Sequence, residues 1–148
     1  MRTRAVALLI QNESIAVMER HHAGRHYFTF PGGGMDEGES PEQAVAREVE
    51  EELGIQIRVI RYVAEVWFNG NRQVYFLVEQ TGGMFGTGAG DEFTAGYDET
   101  HGTYNPMWMP ISELAANPIL PPEIAELVAE SHARGWPSEA VTMHTMPR

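Results

Sequence analysis

The segment between Ser40 and Gly54 constrains the fold of this 148-residue chain more than any other. Ser40 is a favourable N-cap residue, Pro41 suits the first helical position, and Gln43 can complete a capping box with Ser40. Gly54 can adopt the left-handed conformation that commonly ends a helix. The sequence therefore predicts one helix over residues 41–53, around which the rest of the chain has to pack.

The polar side of this helix is an acidic ridge formed by Glu48, Glu51 and Glu52. At about 100° per residue, these side chains fall together beside an apolar stripe of valine, leucine and alanine. Like charges one turn apart destabilise a helix by about 0.2–0.5 kcal/mol per pair, and Arg47 alone cannot neutralise the ridge. A bound divalent cation can. Because the ligands are carboxylates and the chain has no cysteine, we expect Mg²⁺ or Mn²⁺.

Three consecutive glycines, Gly32, Gly33 and Gly34, stand shortly before this helix. They follow the apolar run Tyr27 to Phe30, and their missing side chains permit backbone N–H groups to approach an anion closely. The simpler interpretation is a solvated acidic helix next to an ordinary turn. The close spacing of the two features, and the position of the ridge beside the buried stripe, favour a joint metal and phosphate site instead.

The residues from Gly33 to Ile55 resemble the Nudix box at every fixed position of that family's pattern. Five residues separate Gly33 from Glu39, and seven more lead to the run REVEEELGI at residues 47–55. The resemblance implies an α/β fold in which a mixed β-sheet is sandwiched between helices (α/β/α). It also implies an enzyme that hydrolyses a nucleoside diphosphate linked to another group.

The same resemblance implies roles for individual residues. Glu48, Glu51 and Glu52 are expected to hold the divalent metal, and Arg47 to orient them. Glu39 is expected to support the site or to act as a supplementary ligand. The implied catalytic residues of the box are Glu48, Glu51, Glu52 and Arg47.

The composition of the chain limits its partners. A net charge of −11 disfavours binding to nucleic acid or to an anionic membrane surface, so the expected partner is a small-molecule nucleotide. No apolar run approaches the ~18–20 residues needed to cross a bilayer, and no secretory leader pattern is present. We therefore expect a soluble cytoplasmic protein.

The remaining chain is predicted to supply the strands and second helix of one domain, residues 1–135. Residues 136–148 are expected to form a C-terminal tail, which orders only where Trp136 and Val141 find a groove or a second subunit; a homodimer is therefore an open alternative. The predicted elements are strands at 4–10, 15–20, 27–30, 56–68, 73–79 and 104–109, a helical turn from residue 110, and a helix from about residue 121 to residue 134.

Two stretches are predicted to be loops. His21 to His26 is expected to be a polar loop, and a metal site formed by its histidines is disfavoured because the neighbouring oxygen site makes one unnecessary. Residues 81–103 are expected to be a long functional loop. By resemblance to the family, this loop is expected to supply a further carboxylate as ligand or general base. Glu99, Asp98 and Glu92 are the candidates, among which the sequence does not choose, and His101 is a further candidate proton acceptor or substrate contact.

Basic and aromatic residues outside the box are predicted to contact the substrate. Arg20 and Arg25 flank the glycines and are expected to contact phosphate. Tyr27, Phe28 and Trp67 are expected to contact the substrate. Trp67, Phe68 and Tyr75 are candidates for stacking on a nucleobase, although aromatic residues on strands are more commonly part of the core.

Three functions stay open on this sequence. The first is a pyrophosphatase, with a nucleoside triphosphate favoured and a nucleotide sugar or ADP-ribose as the alternative. The residues Asn71-Arg72-Gln73 lack the proline and the tyrosine that mark ADP-ribose and dinucleoside polyphosphate enzymes of the family. The second function is isomerase chemistry like that of isopentenyl diphosphate isomerase, which the short chain and missing cysteine disfavour. The third is a catalytically silent nucleotide-binding module, which has no reason to retain a self-repelling ridge.

Overall fold

Helix α1 spans Pro41–Leu53, as its capping residues predict. The Gln43 backbone N–H donates to the Ser40 hydroxyl at 3.1 Å, and the Ser40 N–H donates to the Gln43 side chain at 2.9 Å. At the other end, Gly54 is left-handed with φ 79°, and its N–H donates to the Glu50 carbonyl at 2.9 Å. The predicted capping box and helix stop are both confirmed.

The structure is a computed structural model that describes residues 2–68, 70–88 and 102–145. Its elements in chain order are β1 (Arg4–Gln11), β2 (Ser14–His22), β3 (Arg25–Thr29), β4 (Gly32–Gly34), α1 (Pro41–Leu53), β5 (Ile55–Phe68), β6 (Asn71–Gly83), β7 (Thr103–Pro110), a 3₁₀ helix (Ile111–Ala116), β8 (Ile119–Leu120), α2 (Pro122–Arg134) and β9 (Val141–Thr145). The strands are hydrogen-bonded in the order β8-β3-β2-β1-β6-β5-β9, with β4 paired to β1 and β7 paired to β2. Because β1 and β6 are parallel while β5 and β6 are antiparallel, the sheet is mixed, as predicted.

Each face of this sheet carries its own hydrophobic core. Val45, Val49 and Leu53 of α1 pack against one face. Ile124 and Val128 of α2 pack against the other face. Strand β1 contributes alternate residues to the two cores, since successive side chains of a strand point to opposite faces. The predicted α/β/α layering is confirmed.

The predicted polar loop at residues 21–26 is wrong. Strand β2 continues to His22, β3 begins at Arg25, and His21 pairs with His26 across the hairpin. Only Ala23 and Gly24 form the turn, and both have positive φ (53° and 77°), as in the two-residue turns that match strand twist. Polarity indicated a loop here, but a solvent-facing hairpin accommodates polar side chains equally well.

The second long hairpin extends further than predicted. Strand β6 runs to Gly83, so residues 81–83 belong to the sheet and not to a loop. Beyond the strand, the chain turns back onto the end of α1, where the Gly86 N–H donates to the Leu53 carbonyl at 2.8 Å. Phe85 stacks on Trp108 of β7, with ring centroids 4.7 Å apart.

Three short strands among the described residues were not predicted from the sequence, and one of them is β4, formed by the glycine run and paired with β1. Strand β8 pairs with β3, and β9 pairs in parallel with β5 at the edge of the sheet. Trp136 and Met143 pack against the core on the α2 side, so this part of the C-terminal segment lies on the body of the protein. The domain boundary at residue 135 stays a prediction. No helix among the described residues has the length and apolar character to span a membrane.

Candidate active site

Helix α1 directs its acidic ridge into a cleft with a volume of about 1040 Å³. Glu48, Glu51 and Glu52 line this cleft together with the glycines of β4. Their exposure differs: the Glu52 residue is 9% exposed, the Glu48 side chain 18% and the Glu51 side chain 50%. The ridge therefore runs from a buried carboxylate to one that reaches solvent.

The glycine run is extended and forms part of the sheet. Its N–H at Gly32 donates to the Glu52 carboxylate at 2.8 Å, a contact that joins β4 to α1. A Cβ atom at Gly32 would overlap the Ala5 carbonyl of β1, so a larger residue cannot pack there. The amide that the sequence suggested for phosphate is thus engaged by a carboxylate of the protein itself. The roles of Gly32, Gly33 and Gly34 in phosphate binding stay predictions.

Gly33 makes room for a ridge carboxylate. A Cβ atom at this position would overlap the carboxyl group of Glu48. Burial raises the pKa of Glu48, and this effect outweighs the lowering effect of the neighbouring Arg47. A carboxylate in this position is therefore poorly solvated and gains from a nearby cation.

Arg47 connects the ridge to the segment before the helix. Its Nε and Nη2 atoms donate to the two oxygens of Glu39 at 2.7 and 3.0 Å, and Nη2 also donates to the Gly34 carbonyl at 3.1 Å. Its Nη1 atom donates to Glu48 at 3.0 Å and lies 3.4 Å from Glu51. The Arg47 guanidinium, aided by the Asp36 N–H, lowers the pKa of Glu39 to about 2. Arg47 thus fixes the orientation of the ridge without entering the cleft lining.

Among the described residues, four arginines line the same cleft, although the chain as a whole carries a charge of −11. Arg20 and Arg25 are two of them, as the sequence suggested. The Arg20 guanidinium lies over the Tyr104 ring at 3.8 Å from its centroid, and Arg25 lies over the Tyr27 ring at 5.1 Å. Tyr27 therefore supports an arginine of the cleft and is not itself part of the described lining.

The other predicted contacts lie away from the cleft or outside the described residues. Phe28 is 4% exposed and belongs to the core on the α2 side. Trp67 donates to Glu65 and stacks on His144, with the rings 12° from parallel. Glu99 and His101, with the alternatives Asp98 and Glu92, fall outside the described residues.

Several residues of the cleft were missed by sequence analysis. The strand register brings such residues to the cleft: Arg4 of β1 lies opposite both Gly34 of β4 and Gln73 of β6. Period-two alternation along β1 could have placed Arg4 on one face, but nothing local indicates which strands become its neighbours. The missed lining residues include Arg2, Arg4, Gln73 and Tyr104, whereas Phe68 and Tyr75, two of the aromatic residues suggested for base stacking, do line the cleft.

Comparison with known proteins identifies the family of this chain. The NUDIX domain family model matches residues 1–130. The RNA pyrophosphohydrolase of Photobacterium profundum is 42% identical over 59 residues, which is 40% of this chain and 34% of that protein. The chain thus matches about a third of the length of this curated relative.

Solved structures share the fold. An ADP-ribose pyrophosphatase from Streptococcus suis 89-1591 has a TM-score of 0.67 and 18% identity, covering 97% of this chain and 98% of that one. The mutator MutT protein from Bacillus halodurans has a TM-score of 0.66 and 18% identity, covering 99% and 92%. With the match to the family model over residues 1–130, the chain belongs to the Nudix family.

Proposed function

We propose that this protein is a divalent-metal-dependent hydrolase that cleaves a phosphoanhydride bond in a nucleoside triphosphate or another nucleoside diphosphate derivative. The observation that carries the proposal is the acidic ridge of α1, which meets four arginines in one cleft. Carboxylates and arginines together suit a substrate whose phosphates bind both a metal and the protein.

The ridge fits a hard divalent cation such as Mg²⁺ or Mn²⁺. Its donors are the carboxylates of Glu48, Glu51 and Glu52, and the space at Gly33 that a Cβ would fill keeps Glu48 beside β4. When bound, such a cation offsets charge on phosphate oxygens and lowers the pKa of a coordinated water. Family membership supports the metal requirement, because Nudix hydrolases generally use divalent metals.

The protein's own groups position the reaction. Arg47 and the Gly32 N–H hold the ridge carboxylates in their orientations. Arg20 and Arg25 reach the cleft from the β2–β3 hairpin and bind phosphate oxygens of the substrate. A carboxylate accepts the proton of the attacking water, either one of the ridge or Glu99.

A nucleoside triphosphate cleaved to monophosphate and pyrophosphate is the preferred substrate. Nucleotide sugars and ADP-ribose are the alternatives, and the structural relative from Streptococcus suis is described as an ADP-ribose pyrophosphatase. The name of the curated relative, an RNA pyrophosphohydrolase, adds RNA as a further candidate substrate, which the net charge of −11 disfavours.

The test is a substrate panel with product identification. Purified protein is incubated with Mg²⁺ or Mn²⁺ and with triphosphates, nucleotide sugars, ADP-ribose and a 5′-triphosphorylated RNA, in ¹⁸O-labelled water. We expect the highest kcat/KM for a triphosphate, with release of pyrophosphate. A much higher kcat/KM for a nucleotide sugar would overturn the substrate class. If the protein binds some of these compounds but hydrolyses none of them, it is the catalytically silent nucleotide-binding module.

A further inference from the structure

A second cluster of metal-ligating side chains lies on the β2–β3 hairpin, outside the cleft. The register pairs His21 with His26 and Glu19 with Phe28, so these four side chains share one face of the hairpin. Arg20, which lines the cleft, lies on the opposite face. The cluster of Glu19, His21 and His26 is thus separated from the acidic ridge by the thickness of the hairpin.

The three ligand atoms of this cluster already converge. The His26 Nε2 atom lies 2.9 Å from the Glu19 Oε2 atom, and the His21 Nε2 atom lies 3.9 Å from it. One ligand atom from each residue lies within 4.8 Å of the others. In a tetrahedral site with bonds of about 2.0–2.1 Å, neighbouring ligand atoms are about 3.3 Å apart. The observed distances bracket this value, so the atoms are close enough to share one ion once the nearly parallel imidazole rings turn toward each other and direct both nitrogen lone pairs at it.

The surroundings hold the cluster in place while keeping it accessible. The two imidazole rings are stacked 4.3 Å apart and are nearly parallel, at 8°. Asn105 of β7 donates to the Oε1 atom of Glu19 at 3.1 Å, which leaves Oε2 directed at the histidines. The His21 and His26 side chains are 56% and 48% exposed, so a metal ion can enter and keep water ligands.

The chemistry of this donor set differs from that of the ridge. Two imidazole nitrogens and one carboxylate oxygen suit a borderline cation such as Zn²⁺, whereas a ridge of carboxylates suits Mg²⁺ or Mn²⁺. We propose that Glu19, His21 and His26 bind one Zn²⁺ ion, independently of the metal of the proposed hydrolase reaction. The bound ion would cross-link β2 to β3 on the face opposite Arg20.

The experiment measures Zn²⁺ binding to untagged, metal-free protein by calorimetry, and the visible absorption of bound Co²⁺ as a spectroscopic probe. The ridge is disabled by Glu48→Gln with Glu52→Gln, so that binding at the ridge does not mask binding at the hairpin. In that background, His21→Gln with His26→Gln should weaken Zn²⁺ binding at least about tenfold and remove the Co²⁺ spectrum. The matched control is His22→Gln, on the opposite face of the same strand, which should bind as the parent does.

An NMR titration provides a readout that does not depend on substitution. Zn²⁺ should shift the imidazole signals of His21 and His26 and leave those of His132 and His144 unchanged. The proposal is overturned if these two signals do not respond to Zn²⁺, or if the double glutamine variant, shown to be folded by its NMR spectrum, binds Zn²⁺ as tightly as its parent. The cluster would then be a hydrogen-bonded group only.

Discussion

The carboxylates of the acidic ridge are held by two donor groups, the Gly32 N–H and the Arg47 guanidinium. Glu52 accepts the Gly32 N–H at 2.8 Å, and Glu48 accepts from Arg47 at 3.0 Å. Glu51 lies 3.4 Å from Arg47, a longer contact, and is the most exposed of the three. The ridge is therefore fixed at its buried end, where small changes in shape should have the largest effect on metal binding.

Gly33→Ala should impair metal binding without unfolding the protein. Its new Cβ would overlap the Glu48 carboxyl group and displace it, while the backbone conformation of Gly33 is open to alanine. We expect kcat at moderate Mg²⁺ to fall at least about tenfold, with partial recovery at high Mg²⁺. The control is Gly82→Ala, where the new Cβ meets only the end of the flexible Gln56 side chain. Equal Mg²⁺ dependence in the two variants would contradict the role given to Gly33.

Glu39→Gln should destabilise the protein in a pH-dependent manner. Arg47 lowers the pKa of Glu39 from 4.5 to about 2. A lowered folded-state pKa stabilises the protein above the unfolded-state pKa, and this stabilisation is lost as the pH falls toward the folded-state value. The glutamine variant should therefore unfold at lower urea concentration than the wild type at neutral pH. The difference between their urea midpoints should be smaller at about pH 3. An equal difference in midpoint at both pH values would show that the Glu39–Arg47 ion pair does not cause the loss of stability.

At the level of elements, helix α1 is held at its C-terminal end by the segment that follows β6. The Gly86 N–H donates to the Leu53 carbonyl, and a Cβ atom at Gly88 would overlap the carbonyls of Glu51 and Glu52. The predicted loop at residues 81–103 would suggest a deletion that starts at residue 84. Such a deletion removes the contacts that hold the C-terminal end of α1, the helix that carries the ridge. A deletion intended to test substrate contacts should start beyond Gly88.

Gly54→Ala should destabilise the protein more than Gly24→Ala. Both glycines have positive φ, 79° and 77°, which costs a residue with a side chain about 1–2 kcal/mol. A Cβ atom at Gly54 would also overlap Thr87 and Gly88, whereas a Cβ atom at Gly24 meets nothing within 4 Å. Urea unfolding of the two variants separates backbone strain from overlap. Equal losses of stability would mean that residues 87–88 do not pack against this end of α1.

At the level of the whole molecule, local signals predicted much of the fold and only part of the site. Helix α1, its caps and the β1–β2 hairpin depend on neighbouring residues, so composition and spacing are sufficient to predict them. Strands β8 and β9 depend on distant partners in β3 and β5, which no local pattern specifies. Arg4 was missed as a cleft residue for the same reason. Glu99 lies outside the described residues, and its function stays a prediction.

Divalent metal should stabilise the whole molecule. Folding brings the ridge carboxylates into one cleft, and the unfolded chain has no comparable site, so Mg²⁺ or Mn²⁺ should raise the Tm. EDTA should reverse the shift. The shift should be absent from a variant that combines Glu48→Gln with Glu52→Gln. A wild-type Tm that does not respond to millimolar Mg²⁺ or Mn²⁺ would favour the silent module.

The most direct test of metal-dependent hydrolysis at the ridge is the turnover of Glu52→Gln at saturating Mg²⁺, measured against Glu50→Gln on the best substrate of the panel. The amide oxygen of glutamine can still accept the Gly32 N–H, so the fold should persist while a ligand charge is lost. Glu50 is exposed and contacts Gln56 at 2.7 Å, away from the cleft lining. We predict that Glu52→Gln abolishes hydrolysis and that Glu50→Gln retains it. Wild-type turnover in a folded Glu52→Gln protein would contradict the assignment of the ridge as the metal site.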